Sequence, residues 1–427
     1  MTVRTGLLTL AVAGGVALGP ATALHAQDEG GLRLSFGLSQ RVEASRNQAL
    51  ATPAQGTTLR TDTRGDFTFS SITRNQSLTF SGDAAIRAVN GPNGDESLHL
   101  ADPGLSLSYA RQGAGSEFTL SAGIRRREIA FARPFTDFLD SNGLVVLPDD
   151  PEDLRGEGQQ LSYRAESALR WGQDGPFGIG ISAGINGARY SNVTATNLFD
   201  YQRRWVALET KMAPAPAHNL STTLRYSRFE DDDPTNPDSD RIAVNSRWSV
   251  ERPNGQVYGA VGLDRGDRGT RYSLSGGWTR EQATRKLSLS LGATRMESGN
   301  LSMTGSAAVN QSFATGTLGA QLRRSVSDGR DNAEQVVTAL ALSFARPLGP
   351  RTNLSLGVDY ARTTQTSTDN SVTNAALRAS ISHALTPDWN MNFGYTRGYR
   401  KDDSAGTGWA NSDTVFLGVS RRFTTRW

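Results

Sequence analysis

Arginine is the residue type in this chain with the clearest chemistry. It supplies all but three of the 45 basic residues among 427 amino acids. Ten arginines fall between the apolar residues of alternating segments, and a strand places its two alternating residue sets on opposite faces. A row of guanidinium groups along a water-filled wall attracts phosphate, sulfate and carboxylate groups. The ten candidate pore-lining residues are Arg33, Arg41, Arg125, Arg127, Arg225, Arg247, Arg271, Arg323, Arg422 and Arg426.

A second interpretation of these arginines stays open. The 42 acidic residues nearly balance the 45 basic ones and leave a net charge of +3. On this interpretation the arginines pair with Asp and Glu and stiffen the wall. A net charge this small for the chain length gives no case for nucleic-acid binding.

Catalytic and metal-binding chemistry find little support in the sequence. The chain has no Cys, which excludes a thiolate nucleophile and a Cys-ligated metal, and only four His. His99, with Asp95 and Glu96, is the one candidate set for acid–base work. The acidic run at residues 230–233 lacks the spacing of a calcium loop and is typical of a solvated loop. We therefore expect no enzyme, no cofactor and no metal site.

Strand-like segments position these residues. In residues 411–427, Val415, Leu417, Val419 and Phe423 alternate with a set that is small, polar or cationic except for Phe416, as the two faces of a β-strand require. The pattern recurs roughly every 20 residues, without a long helical stretch. Tight turns that contain Gly, Asn or Pro alternate with longer connections. The sequence predicts an all-β chain of about 20 antiparallel strands, with a range of 18 to 22.

The N-terminus has the pattern of a secretory signal peptide. Arg4 precedes an apolar run at residues 7–18, and small residues follow. We predict a signal peptide over residues 1–26 and a β-barrel over residues 27–427. Cleavage after Ala23 is the alternative to cleavage after Ala26. No other segment offers the roughly 20 apolar residues that a membrane-spanning helix needs.

The end of the chain resembles the C-terminus of Gram-negative outer-membrane β-barrel proteins of the porin-like kind. The resemblance rests on the alternating apolar row and on the aromatic residues Phe423 and Trp427. The resemblance implies a transmembrane antiparallel up-and-down barrel in the outer membrane, in contact with its lipid and lipopolysaccharide. It also implies that Phe423 and Trp427 form the signal that the barrel assembly machinery reads. The protein would be a homotrimer, as porins are, or a monomer.

The longest connection, at residues 128–158, resembles the constriction loop of general porins in position and acidity. In those proteins the loop folds inward and faces a basic wall. The candidate constriction residues are Asp137, Asp140, Asp149, Asp150, Glu152 and Asp153. An outward loop that packs on its neighbours is the alternative.

Together these features predict an outer-membrane channel for passive diffusion of small, anionic solutes. The alternative is a non-conducting structural or surface-interaction barrel, related to adhesion or polysaccharide export. Active transporters of this membrane carry an N-terminal plug domain, whereas alternation in this chain begins within a few residues of the predicted mature start. We therefore expect active transport less than diffusion.

Overall fold

A computed structural model describes residues 31–92, 94, 96–131, 156–172, 175–194, 198–329, 331–404, 406 and 408–426. The predicted signal peptide, the six candidate constriction residues, Asp95 and Trp427 lie outside the described residues.

Twenty strands and one short 3-10 turn, Ile129–Phe131, make up the described chain. The first ten strands are β1 (Gly31–Arg46), β2 (Thr57–Thr73), β3 (Gln76–Asn90), β4 (Glu96–Gly113), β5 (Ser116–Glu128), β6 (Gln159–Trp171), β7 (Phe177–Ser191), β8 (Tyr201–Ala215), β9 (His218–Asp231) and β10 (Ser239–Arg252). The second ten are β11 (Gly255–Gly266), β12 (Gly269–Gln282), β13 (Arg285–Arg295), β14 (Leu301–Phe313), β15 (Gly316–Asp328), β16 (Glu334–Gly349), β17 (Thr352–Gln365), β18 (Ser371–Ala384), β19 (Trp389–Asp402) and β20 (Ala410–Arg426).

The strands form one closed antiparallel barrel. Each strand pairs with its neighbours in the chain, and β1 also pairs with β20. Closure leaves no sheet edge, so every strand satisfies its backbone groups on both sides, as a strand in lipid must. The prediction of about 20 antiparallel strands in an up-and-down barrel is confirmed.

The two faces of the barrel differ in chemistry. Leu34 and Phe36 on β1 lie on the same face as Leu417 and Phe423 on β20, and all four are exposed. On the other face, side chains from non-adjacent strands meet: Arg271 on β12 lies 2.6 Å from Asp328 on β15. Such contacts require the concave inner side. The apolar face therefore points outward and the charged face points inward.

Connection lengths divide the barrel into two ends. Turns such as residues 74–75, 253–254 and 314–315 are short, and the longer connections at residues 47–56 and 129–158 lie at the other end. The alternation follows the sequence prediction. In the described part of the chain, none of the helical segments is long and apolar enough to cross a bilayer.

Candidate ligand-binding wall inside the barrel

The strand register determines where the ten predicted arginines lie. Each of them is out of phase with the outward apolar row of its strand. Nine therefore point into the barrel: Arg33, Arg41, Arg125, Arg127, Arg225, Arg247, Arg271, Arg323 and Arg422. Arg426 pairs with Arg33 in the register, and its side chain lies outside the described part of the structure.

The inward arginines do not form one open ladder. Arg125 bonds to Asp83 at 2.7 Å, and Arg41 bonds to Glu43 at 3.0 Å. Arg422 lies 3.6 Å from Asp66. These arginines pair with carboxylates, as the second interpretation of the sequence expects. Their positive charge is therefore largely neutralised within the wall.

An ion network on β2–β5 was missed by the sequence reasoning. Arg87 has a side chain only 3% exposed and bonds to Asp62 at 2.8 Å and to Glu128 at 2.8 Å. It also bonds to Asp102 at the bulge in β4. Three carboxylates from three other strands surround this one buried guanidinium, so its charge is compensated within the wall. No local pattern marks Arg87, since its partners are 15 to 41 residues away.

The start of the long β5–β6 connection lies inside the barrel. The ring of Phe131 lies 4.8 Å from the guanidinium carbon of Arg87 and 5.3 Å from that of Arg60. Ile129, in the same turn, is 2% exposed. The connection that carries the predicted constriction residues therefore turns inward where it leaves β5.

His99 does not assemble into a catalytic set. Its Nε2 contacts Glu128, a member of the Arg87 network, and Asp95 lies outside the described residues. Within the described ranges, no group of three or more His, Cys, Asp or Glu residues has the arrangement of a metal site.

A second ion cluster lies at the long-loop end of β10–β16. Arg241 lies 2.8 Å from Glu297 and 3.0 Å from Asp264. Arg271 bonds to Glu334 at 3.0 Å, in addition to Asp328. Burial raises the pKa of Glu297, a residue of the β13–β14 connection, although the two arginines oppose that shift. The cluster contains four carboxylates and two guanidiniums, and it connects side chains of several strands at the mouth of the barrel.

Three inward arginines belong to a repeated unit of glycine, aromatic ring and guanidinium on three adjacent strands, which we call a cation–aromatic unit. In each unit the glycine lies directly opposite the aromatic residue, because a Cβ at that position would collide with the ring. The arginine then lies over the ring from the third strand, a favourable cation–π geometry. The units are Gly184–Trp205–Arg225, Gly277–Tyr258–Arg247 and Gly394–Phe416–Arg41.

The first two of these units lie on β7–β12. They differ from the third, in which Arg41 is paired with Glu43, because their arginines form no ion pair with a described carboxylate. The guanidinium carbon of Arg225 lies 4.3 Å from the Trp205 ring centre, and that of Arg247 lies 3.5 Å from the Tyr258 ring centre. Arg203 lies beside Phe229 on the same wall, at 5.4 Å. Among the described residues, no carboxylate is within 4 Å of these three guanidiniums. We call this surface the β8–β11 wall.

The β8–β11 wall extends to the long-loop end through Arg203. Its Nη2 is 3.4 Å from the side-chain oxygen of Asn332, in the β15–β16 connection. Arg268, in the β11–β12 turn, donates to the backbone oxygen of Asn332 at 3.0 Å. Connections from distant strands thus converge above this wall, and we take it as the candidate site.

The predicted assembly residues lie at the last strand. Phe423 faces outward on β20 and is 44% exposed, and Trp427 lies outside the described residues. The guanidinium carbon of Arg421 lies 4.4 Å from the Phe423 ring centre.

No protein-family model and no curated protein matches the sequence. Solved structures do match the fold. The siderophore receptor PirA from Pseudomonas aeruginosa aligns with a TM-score of 0.50 and 11% identity over 92% of this chain and 80% of that chain. The ferric enterobactin receptor PfeA from Pseudomonas aeruginosa, in complex with enterobactin, gives 0.51 and 10% over 91% and 81%. The siderophore receptor PirA from Acinetobacter baumannii gives 0.51 and 8% over 91% and 80%.

These structures correct the predicted function. They are siderophore receptors, so the prediction of a channel for passive diffusion is wrong, and a barrel for adhesion or polysaccharide export does not describe them either. The argument against active transport relied on the start of the chain, which does not determine what the barrel wall binds. The inward arginines also do not form an open ladder of free guanidiniums, since most of them have carboxylate or aromatic partners.

Proposed function

We propose that this outer-membrane β-barrel is a receptor that binds an anionic, ring-bearing chelate on its inner wall as the first step of uptake. One observation carries the proposal. The β8–β11 wall presents Arg203, Arg225 and Arg247 beside aromatic rings, without a carboxylate within 4 Å among the described residues. In the two inward ion networks, by contrast, Arg87, Arg241 and Arg271 each lie against several carboxylates.

The chemistry of the wall indicates the ligand class. Guanidinium groups bind carboxylate and phenolate oxygens through charge-assisted hydrogen bonds. The guanidiniums of Arg225 and Arg247, which cover the open faces of Trp205 and Tyr258, can themselves stack on a planar aromatic group of the ligand. A ferric catecholate complex combines negative charge with aromatic rings. The ligand named for the PfeA structure, enterobactin, is of this kind, which supports the choice of a siderophore-type ferric chelate.

Geometry favours a receptor over an unselective channel. Trp205 and Tyr258 are held on glycines, and each carries a guanidinium on its open side. Rings and charges fixed in this way lose little conformational entropy when a ligand binds. The prediction that Asp137, Asp140 and the other acidic residues of the β5–β6 connection narrow the lumen stays a prediction. The inward position of Phe131 supports it.

A binding titration tests the proposed function. Ferric enterobactin is added to the refolded protein, and quenching of tryptophan fluorescence reports occupancy near Trp205. We expect saturable binding, weakened about tenfold by Arg225→Gln or Arg247→Gln, because a charge-assisted hydrogen bond contributes about 1.5–3 kcal/mol. Arg280→Gln, an outward residue of β12, removes the same charge from the other face and should bind as wild type.

Two results would overturn the proposal. One is the absence of saturable binding by a folded, heat-modifiable protein. The other is equal affinity in Arg225→Gln, Arg247→Gln and Arg280→Gln. A ferric hydroxamate complex that carries positive charge serves as the second ligand and should not compete.

A further inference from the structure

Arginines on the outward face of the barrel form a pattern that the proposed receptor function does not explain. Every odd-numbered strand except β3 has an outward arginine within its last six residues, at the long-loop end. We call them the rim arginines: Arg46, Arg126, Arg189, Arg228, Arg265, Arg295, Arg324, Arg362 and Arg397.

The register fixes their direction. Arg265 lies opposite Ile242, Arg295 opposite Tyr272, and Arg126 opposite Leu161, all of which belong to outward rows. On β11 the outward row below Arg265 consists of exposed Val257, Val261 and Leu263, so the cation follows directly on an apolar strip. A rim arginine therefore lies where the hydrocarbon-facing surface of the barrel ends.

Most of the rim arginines have no carboxylate partner in the described part of the chain. Arg228 bonds to Glu230 and Asp238, and Arg397 lies 3.6 Å from Asp413. The other seven form no ion pair with any described carboxylate. Arg324 instead donates to the hydroxyl of Thr338 at 2.9 Å, and Arg362 lies opposite the same threonine from β17.

The spacing is regular because the arginines occur on alternate strands. Neighbouring strands lie about 4.8 Å apart, so successive rim arginines are separated by roughly 10 Å around the barrel. At the same end several even-numbered strands expose apolar residues instead, among them Leu98, Leu100, Ile242, Leu301 and Met303. An exception is β8, whose outward Arg204 lies 3.4 Å from Glu230. Anionic head groups can therefore lie against the rim with their acyl chains between the cations.

We propose that the rim arginines form a binding surface for the phosphate groups of phosphorylated glycolipids in the outer leaflet. Charge complementarity identifies the occupant: uncompensated guanidiniums at the boundary of an apolar surface attract phosphate at the head-group level. The long-loop end is the end that faces the cell exterior in barrels of this membrane. The lipids at that level are lipopolysaccharides with phosphorylated lipid A.

The opposite end supplies a matched control set. Arg111, Arg252, Arg280 and Arg346 are outward and exposed at the short-turn end, and they form no ion pair with a described residue. Four rim arginines, Arg265, Arg295, Arg324 and Arg362, are changed to Gln in one variant. The four short-turn arginines are changed to Gln in the other, so both lose the same charge.

The test follows thermal unfolding of each refolded protein in detergent as bisphosphorylated lipid A is added. We expect the wild type and the short-turn variant to show the same rise in unfolding temperature. The rim variant should require a lipid concentration at least tenfold higher for that rise, because it lacks four of the cations that attract phosphate. Dephosphorylated lipid A and inorganic phosphate should leave the unfolding temperature of the wild type unchanged.

Three outcomes would overturn the proposal. In the first, the rim variant responds at the same lipid concentration as wild type. In the second, dephosphorylated lipid A gives the same rise, and in the third, inorganic phosphate alone reproduces it. If the fourfold rim variant does not refold, the double variant Arg324→Gln/Arg362→Gln replaces it. Its matched control is Arg280→Gln/Arg346→Gln, and the same comparison decides the matter.

Discussion

The indole of Trp205 lies against the backbone of Gly184, its partner on β7, so closely that a Cβ on Gly184 would come within 2.7 Å of the ring. The guanidinium of Arg225 covers the same indole from β9. The glycine therefore sets the position of the ring, and the ring sets the position of the cation. Any change at Gly184 should reach the β8–β11 wall.

Gly184→Ala should displace Trp205 and with it Arg225. Overpacking of this kind costs about 1–3 kcal/mol of stability, and the proposed chelate should bind more weakly. Tryptophan emission and a denaturant titration measure the two effects. Gly259→Ala is the control, because a Cβ at Gly259 would meet no atom within 4 Å. Equal behaviour of the two variants would contradict the role of Gly184.

Arg87→Gln should destabilise the barrel strongly. The substitution leaves Asp62, Asp102 and Glu128 without their shared cation in a buried site. Removal of one partner of a buried ion pair costs about 3–5 kcal/mol. Guanidinium-induced unfolding in detergent measures the loss, with Arg33→Gln as the control for an inward arginine that forms no ion pair with the described residues. A loss no larger than that of Arg33→Gln would show that the network contributes little.

The architecture was predictable because two solvents impose a period of two on every strand. Lipid outside and water inside select alternate apolar and polar residues, so the row through Val415, Leu417 and Phe423 indicated a strand before its partners were known. The same alternation predicted which arginines face inward. It acts residue by residue and needs no information about distant parts of the chain.

The partners of the inward arginines could not be predicted because they depend on register and closure. Arg41 meets Phe416 only because β1 pairs with β20, and Arg271 on β12 meets Asp328 on β15 although two strands lie between them. Neither relationship leaves a local pattern in the sequence. The alternation showed which arginines point inward, but not which of them are neutralised by a partner.

Glu297 should make stability depend on pH. Burial raises its pKa, so the folded protein holds this proton more tightly than the unfolded chain does. The contribution of Glu297 to the free energy of unfolding therefore falls as pH rises from the ordinary carboxyl range through the raised pKa.

Comparison with Glu297→Gln isolates this effect, because Gln does not titrate. The unfolding temperature of wild type minus that of the variant should decrease between about pH 4 and pH 7. A difference that is constant or increases over this range would show that the arginines outweigh burial. Thermal unfolding in one detergent across the pH series provides the measurement.

Substitutions at Phe423 and at its partner Phe36 distinguish the predicted role of Phe423 in assembly from its role in packing the closed barrel. Phe423 on β20 lies opposite Phe36 on β1, at the pair of strands that closes the barrel. Phe423→Ala and Phe36→Ala each remove one ring from this pair. They should therefore have similar effects on unfolding temperature after refolding from denaturant into detergent.

In cells Phe423→Ala and Phe36→Ala should differ in how well the protein is assembled into the outer membrane. Phe423→Ala and Trp427→Ala disrupt the terminal aromatic pattern that the assembly machinery is predicted to read, whereas Phe36→Ala leaves it intact. We expect a several-fold lower heat-modifiable fraction in outer-membrane preparations for Phe423→Ala and Trp427→Ala, and a fraction near wild type for Phe36→Ala. Equal loss in Phe36→Ala and Phe423→Ala would mean that strand closure, not recognition of the terminus, limits assembly of this barrel.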